Sequence, residues 1–176
     1  MPVGHPCASS QNETMMKLLF SALSLVAVLG SATAQTARVP AQWTVWSGLN
    51  AETVYLPGIS LGISRTVGQL GALDLSVRGV LDVVLIPASE SPVPLPAPLL
   101  GADLLFSGPV GGVTVYGGSG IGTFLGDAFW LSGTAGLRDS FGEGQWGYFG
   151  EVKARYSWAQ GGNLAPGVRL GVTYRF

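Results

Sequence analysis

The chain ends on the clearest alternation of apolar and polar residues in its sequence. From Val168 to Phe176 every second residue is apolar, and the residues between them are polar or glycine. A period of two gives a β-strand one apolar face and one polar face. The stretch therefore predicts a two-faced strand that finishes on an aromatic residue, with a second aromatic residue, Tyr174, two positions earlier.

Seven further stretches show the same alternation less completely. The clearest runs from Leu73 to Leu85, and at about 3.3 Å per residue it reaches roughly 43 Å, which exceeds an ordinary globular strand and suits one that crosses a membrane. The facing of the first strand is left open, because Trp46 has the opposite parity to Trp43 and Val45. The eight predicted strands cover approximately residues 43–53, 59–64, 73–85, 100–107, 111–117, 129–138, 148–158 and 168–176.

The beginning of the chain has the features of an export signal. Lys17 precedes an apolar run over residues 18–30, which is followed by Ala32-Thr33-Ala34. A basic start, a short apolar core and an A-x-A site predict a secretory signal peptide over residues 16–34, cleaved between Ala34 and Gln35. Residues 1–15 match nothing in such a signal and are interpreted as a mis-assigned or disordered extension, and residues 35–42 as a short leader.

Cleavage limits the chemistry that the mature chain can perform. The only histidine, His5, and the only cysteine, Cys7, both precede the cleavage site. Thiol nucleophiles, disulfides, Ser-His triads and Cys/His metal sites are therefore excluded, and no cofactor is expected. The net charge of −1, without a basic stripe, makes nucleic acid an unsuitable partner.

Composition favours a membrane β-protein of one domain. Charged residues make up 11% of the chain, against about 25% in soluble domains. Glycine is abundant, and no segment after the signal is apolar for the length of a membrane helix. Low charge with period-two strands is typical of a transmembrane barrel, in which only every second residue faces lipid.

The eight strands and the aromatic last strand, Val168 to Phe176, resemble the small eight-stranded bacterial outer-membrane β-barrels of the OmpA-like and OmpX-like kind. The resemblance covers residues 43–176. It implies an all-β, antiparallel up-and-down barrel in the outer membrane, with Tyr174 and Phe176 in a C-terminal signal read by the barrel-insertion machinery. It also implies contact with outer-membrane lipid, and five aromatic residues are candidates for interfacial girdles: Tyr148, Tyr156, Trp158, Tyr174 and Phe176.

In such a barrel the connections alternate between the outer and periplasmic sides. We predict outer connections at 56–58, 86–98, 118–127 and 159–167, and periplasmic ones at 66–71, 107–112 and 139–145. Leu56-Pro57-Gly58 predicts a turn, and five prolines between Pro87 and Pro98 predict a stiff surface loop rather than a ligand for a partner. Outer loops should be longer on average, so the short first one is where the register is expected to fail.

Parity places the charged strand residues on the face opposite the lipid, because a lysine or arginine at the bilayer midplane costs about 2–4 kcal/mol. An eight-stranded barrel is just wide enough for side chains to fill, so these charges predict a plug of ion pairs and trapped water. The predicted lumen charges are Asp74, Arg78, Asp82, Asp103, Arg138, Glu151, Lys153, Arg155, Arg169 and Arg175.

These features favour a non-enzymatic outer-membrane barrel. Its role is left open between envelope structure, interaction through surface loops and limited diffusion. One alternative is a secreted soluble β-sandwich that binds a ligand or a surface. The other is an outer-membrane enzyme that uses carboxylates alone, with Asp82 and Asp103 as the candidate pair.

Overall fold

Eight antiparallel strands form a closed barrel in the computed structural model, in the order in which they follow along the chain. The structure describes residues 42–52, 56–88, 91–124, 128–158 and 162–176. The predicted extension, the signal peptide and all of the leader except Gln42 lie outside these residues. The strands are β1 Trp43–Glu52, β2 Leu56–Leu70, β3 Leu73–Ala88, β4 Ser91–Val110, β5 Val113–Phe124, β6 Ala128–Ser140, β7 Trp146–Ser157 and β8 Asn163–Arg175.

The pairing of β1 with β8 closes the barrel. Leu49 of β1 lies opposite Ile59 of β2 on one side and opposite Leu170 of β8 on the other. Trp43 and Phe176 exchange backbone hydrogen bonds of 3.2 and 3.1 Å, so the first and last strands meet at one end. We call this the terminal end, and the opposite one the far end. A closed single sheet excludes the soluble two-sheet sandwich.

The barrel wall is apolar on its outer face and mainly polar on its inner face, which is the reverse of the arrangement in a soluble protein. Outward-facing side chains are apolar and exposed, as at Leu49 and Leu170, which are 72% and 68% exposed. Most inward-facing side chains are polar or charged and buried, as at Asp82 and Arg169, which are 1% and 2% exposed, and the rest are buried apolar or aromatic residues such as Val80 and Trp46. Hydrocarbon is the environment that such an outer face fits. In the described ranges, no helix has the length and apolarity needed to cross a membrane.

The predicted turn at Leu56–Gly58 is wrong, because these residues begin β2. Leu56 lies opposite Glu52, and Pro57 opposite Ala51. Pairing between β2 and β3 starts only at Gly58, so Pro57 occupies a strand end with one paired neighbour. A proline is tolerated at such a position because fewer ladder donors are needed there. The connection between β1 and β2 is residues 53–55, outside the described residues.

In the proline-rich stretch predicted as a loop, residues 87–88 and 91–98 are strand, and residues 89–90 lie outside the described residues. β3 continues to Ala88 and pairs with Ser91 at the start of β4, so the two strands form a long hairpin that extends toward the far end. The described pairing of β5 with β4 starts at Leu99. Before Leu99, β4 therefore has β3 as its one paired neighbour in the described residues.

The spacing of the prolines explains why this strand forms. Carbonyl oxygens at even-numbered positions of β4, such as Ala102, lie beside glycines of β5, so even-numbered backbone groups point toward the β5 side. Prolines fall at even positions as well, and the N–H groups that they lack would point to the unpaired side. Odd positions keep their donors for β3, so the ladder survives. The four prolines of β4 before Leu99 are Pro92, Pro94, Pro96 and Pro98.

The predicted outer connection at 118–127 is also wrong, because β5 continues to Phe124. Gly118, Gly120 and Gly122 of β5 face inward and lie against neighbouring backbone. A Cβ on Gly122 would lie 2.6 Å from the Leu100 carbonyl oxygen and within the ring of Trp130. The glycines therefore mark close approach within a strand, a reading that the sequence does not distinguish from a flexible loop.

The connections predicted to face outward are scarcely longer than the others in this chain. At the terminal end the connections are residues 71–72, 111–112 and 141–145, and glycines at positive φ form them, among them Gly71 at 63° and Gly142 at 64°. At the far end the intervals between strands are 53–55, 89–90, 125–127 and 158–162. The residues predicted as long outer loops mostly extend the strands instead.

Gly122→Ala should lower the free energy of unfolding by about 1–3 kcal/mol, because the added methyl group overlaps the Leu100 carbonyl and the Trp130 ring. Gly133→Ala is the matched control, since a Cβ there meets nothing within 4 Å. It should change stability by less than about 0.5 kcal/mol. Denaturant titration of the folded barrel measures both, and equal losses would contradict the close approach.

Candidate functional site: the charged lumen

Eight charged side chains form one continuous chain of alternating sign inside the barrel. Each arginine bridges two carboxylates, and the lysine ends the chain. Seven ion pairs join the eight groups within the part of the chain that the structure describes. The order is Glu52, Arg155, Asp82, Arg169, Glu151, Arg78, Asp103 and Lys153, and we call this group the lumen chain.

The contacts of the lumen chain are close. Arg78 Nη2 lies 2.6 Å from Asp103 Oδ2, and Arg78 Nη1 lies 2.5 Å from Glu151 Oε2. Arg169 donates through Nη2 to Asp82 Oδ1 at 2.8 Å and also pairs with Glu151. Arg155 pairs with both Asp82 and Glu52. Charge-assisted bonds to the forked guanidinium fix both the position and the orientation of each carboxylate.

The lumen chain balances its own charge, with four carboxylates and four cations. All eight groups are buried. Taking a charge out of water costs several kcal/mol unless partners and hydrogen bonds replace the hydration. Alternation of sign supplies each of the six inner members with two opposite partners. The arrangement therefore satisfies buried charges without needing an ion from outside.

Every strand contributes a side chain to this network. Ser60 of β2 donates to Asp82 at 2.5 Å, and Tyr116 of β5 donates to Glu151 at 3.0 Å. Ser132 of β6 donates to Asp103 at 3.3 Å. β1, β3, β4, β7 and β8 supply the charged groups. The network thus ties the whole circumference of the barrel together.

Aromatic rings fill the lumen space that the charges leave. Trp46 and Phe149 meet edge to face with centroids 5.5 Å apart. The guanidinium of Arg169 lies 5.0 Å from the centre of the Trp46 ring, and that of Arg155 lies 5.4 Å from Trp130. Stacking on a ring stabilises a cation that has lost its water. Charges and rings together occlude the middle of the barrel.

Three predicted lumen charges lie apart from this chain, at the terminal end. Asp74, Arg138 and Arg175 line a cavity of about 150 Å³, the terminal vestibule, together with hydroxyl groups such as those of Thr44 and Thr114. Arg138 donates to Ser107 Oγ at 3.2 Å and lies 5.9 Å from the centre of the Tyr116 ring. Asp74 accepts a hydrogen bond of 2.9 Å from Gln69.

Sequence reasoning missed several members of the lumen chain and its surroundings. Glu52 and Trp46 share the inward parity of β1, and extending that parity along the predicted first strand would have found both. Tyr116 lay in the strand that its glycines made weakest. Nothing in the sequence distinguishes Ser60 and Ser132 from other strand serines. Their hydrogen bonds to Asp82 and Asp103 become visible only in the folded barrel.

The chemistry open to this site is limited. Asp82 and Asp103, the candidate acid pair of an enzyme, are 1% and 3% exposed, and each is held by cations. Among the described residues, no group of three or more histidine, cysteine, aspartate or glutamate side chains is arranged to hold a metal ion. What the arrangement does is join side chains from different strands across the lumen.

The outer face carries aromatic residues near both ends of the barrel. At the terminal end the rings of Trp146 and Tyr174 have centroids 5.0 Å apart, and those of Tyr174 and Phe176 are 6.3 Å apart. Toward the far end Tyr156 and Trp158 meet edge to face at 5.6 Å. Tyr148, the fifth predicted girdle residue, packs against Phe141 at the terminal end.

Comparison with solved structures agrees with this geometry. A de novo designed transmembrane β-barrel has a TM-score of 0.51 and 15% identity, covering 79% of this chain and 98% of its own. The fold is that of a small transmembrane β-barrel. Ail of Yersinia pestis in a phospholipid bilayer nanodisc has a TM-score of 0.47 and 15% identity, covering 78% of this chain and 100% of its own. Neisserial surface protein A has 0.47 and 13%, covering 77% and 96%.

No family model and no curated protein matches the sequence. At 15% identity the likeness to the designed barrel is one of fold, namely a small transmembrane β-barrel. Function has to be argued from the lumen and the surfaces of this chain.

Proposed function

We propose that the protein is a non-enzymatic outer-membrane barrel with a closed lumen, which serves the envelope as a structural element and presents its far end to the outside. The single observation that carries this is the lumen chain. Eight buried charges, with Trp46 and Phe149 between them, occupy the axis that a diffusing solute would need. Limited diffusion is accordingly the least supported of the three roles that the sequence left open.

The far-end hairpin supports a role at the surface. β3 continues to Ala88 and β4 begins at Ser91, whereas the described pairing of β4 with β5 begins only at Leu99. In the described residues the hairpin therefore extends toward the far end without β5 as a neighbour. Prolines on the unpaired side of β4 remove the N–H groups through which another chain could add a strand. Such a projection offers a rigid surface while resisting edge-to-edge aggregation.

Location in the outer membrane is part of the same proposal. The apolar outer face, the aromatic residues near both ends and the predicted signal peptide support it. Tyr174 and Phe176 are the candidate signal for the insertion machinery. The terminal end is expected to face the periplasm, because both termini of a barrel of this kind lie on that side.

Planar lipid bilayers that contain the folded protein should show no steady step conductance. The physical reason is that ions would have to displace paired charges whose burial is already satisfied. A wide, water-filled porin in the same bilayer is the positive control. Regular conductance steps from the wild-type barrel would contradict the closed lumen and favour diffusion.

The exported protein should fractionate with the outer membrane and resist extraction by salt or alkali. Its intact mass should correspond to a chain that starts at Gln35, since Ala32-Thr33-Ala34 follows a short apolar run. Recovery in the soluble periplasm, or a mass that retains Met1 or Met16, would contradict the proposed export and location.

A further inference from the structure

We infer that the terminal vestibule binds one oxyanion of the phosphate type, either inorganic phosphate or the phosphodiester of a neighbouring lipid headgroup. The vestibule is separate from the lumen chain and has no role in the closed-lumen proposal. Its lining combines guanidinium and hydroxyl groups around a cavity of about 150 Å³. These are the donors with which proteins bind phosphate oxygens.

The side chains that line the vestibule carry a net positive charge. The lumen chain is neutral by itself, so it leaves no charge over for the vestibule. The vestibule holds two arginines, Arg138 and Arg175, and one carboxylate, Asp74. The result is a net charge of +1 in a partly enclosed space, where screening by water is weaker than at an open surface. An anion would balance it.

The two arginines are available for a ligand. Among the described residues, no ion pair joins Arg138 or Arg175 to a carboxylate of the chain, whereas every arginine of the lumen chain has two. Arg138 is held in place by the Ser107 hydroxyl group and the Tyr116 ring, contacts that orient it without neutralising it. The charge of Arg175 acts on Arg138 unfavourably and that of Asp74 favourably, and an anion shared by the two arginines would reduce the repulsion between them.

The hydroxyl groups complete the donor set. Thr44 lies opposite Arg175 on the barrel wall, and Thr114 lies opposite Arg138. Ser64 and Ser76 line the same cavity. Several neutral donors around two cations suit a ligand with three or four oxygens better than a halide ion. The lining also includes Gln42, directly before β1, and Pro109, close to the turn at 111–112. The vestibule therefore lies at the mouth of the terminal end.

The test uses the folded full chain in micelles of a maltoside detergent, which contains no phosphate. Inorganic phosphate is titrated while the side-chain Nε–Hε signals of the arginines are followed by NMR. Saturable shifts are expected at Arg138 and Arg175, with a dissociation constant of about 1 mM, and no shift at Arg65, which lies on the outer face. In nanodiscs, phosphatidylglycerol without free phosphate tests the headgroup as the source.

Three variants test which side chains contribute to phosphate binding. Arg138→Gln should weaken phosphate binding by about tenfold or more, because one of two charge-assisted contacts is lost. Asp74→Asn should tighten it severalfold, since the opposing carboxylate charge is removed. Arg65→Gln should leave it unchanged. The titration of the wild-type protein tests for the phosphate site even if Arg138→Gln does not fold. Linear, non-saturating shifts with both inorganic phosphate and phosphatidylglycerol would overturn the inference.

Discussion

Glu151→Gln should lower the free energy of unfolding by about 3–5 kcal/mol, the range seen when one partner of a buried ion pair is removed. Glu151 accepts from Arg78, Arg169 and Tyr116 and lies at the junction of the two halves of the lumen chain. Its neutralisation leaves the chain with four cations and three carboxylates. Denaturant titration in lipid vesicles, followed by tryptophan fluorescence, measures the loss.

Asp74→Asn is the matched control, because Asp74 is a strand carboxylate in the terminal vestibule outside the lumen chain. Its loss should cost less than about 1 kcal/mol. The double variant Glu151→Gln/Arg78→Gln restores neutrality and should be less destabilised than the sum of its single changes. If Asp74→Asn and Glu151→Gln cost the same, alternation of charge would not be what stabilises the lumen.

Val152→Arg should cost about 2–4 kcal/mol of folding free energy in a bilayer, as expected for a cation near the midplane of the lipid face. Val152 is 57% exposed on the outer face and lies four residues from both Tyr148 and Tyr156, which belong to opposite aromatic groups. The middle of the hydrocarbon therefore falls at its level. Folding into lipid vesicles across a denaturant series measures the cost.

Two controls separate membrane burial from disruption of the strand. Val152→Leu keeps the face apolar and should change stability by less than about 0.5 kcal/mol. Val172 lies opposite Tyr148, close to the aromatic residues of the terminal end. Val172→Arg should therefore cost less folding free energy than Val152→Arg, because the penalty for a cation falls toward the membrane interface. A soluble strand would tolerate an arginine at so exposed a position, so equal stability of Val152→Arg and Val152→Leu would contradict a lipid-facing wall.

The fold class followed from sequence because strand alternation is a local property. In β3 Val77 faces outward and Arg78 inward, and in β8 Leu170 faces outward and Arg169 inward, as parity required. Side chains alternate whatever the neighbouring strands do, so a period of two is visible without knowing the partners. The placement of Arg78 and Arg169 on the inner face could be predicted for the same reason.

Strand ends and connections did not follow in the same way. Proline and glycine indicate turns in most sequences, yet Pro57 begins a strand and the glycines of β5 lie within one. Whether a proline is tolerated depends on which side its missing donor faces and whether a partner strand is there. Whether a glycine bends the chain or admits a neighbouring carbonyl depends on what lies across from it. Both are facts about neighbouring strands.

By itself the sequence determined the number of strands, their antiparallel class and the side of the wall on which most of the charges lie, although not that of Glu52. Only the tertiary structure decided which charges meet. Arg78 contacts Glu151 from 73 positions away, and Arg138 is left in a vestibule apart from every carboxylate of the lumen chain. The reason is that parity fixes the face of a residue, whereas the height and direction at which its side chain enters the lumen depend on the register of all eight strands and on the closure of the barrel.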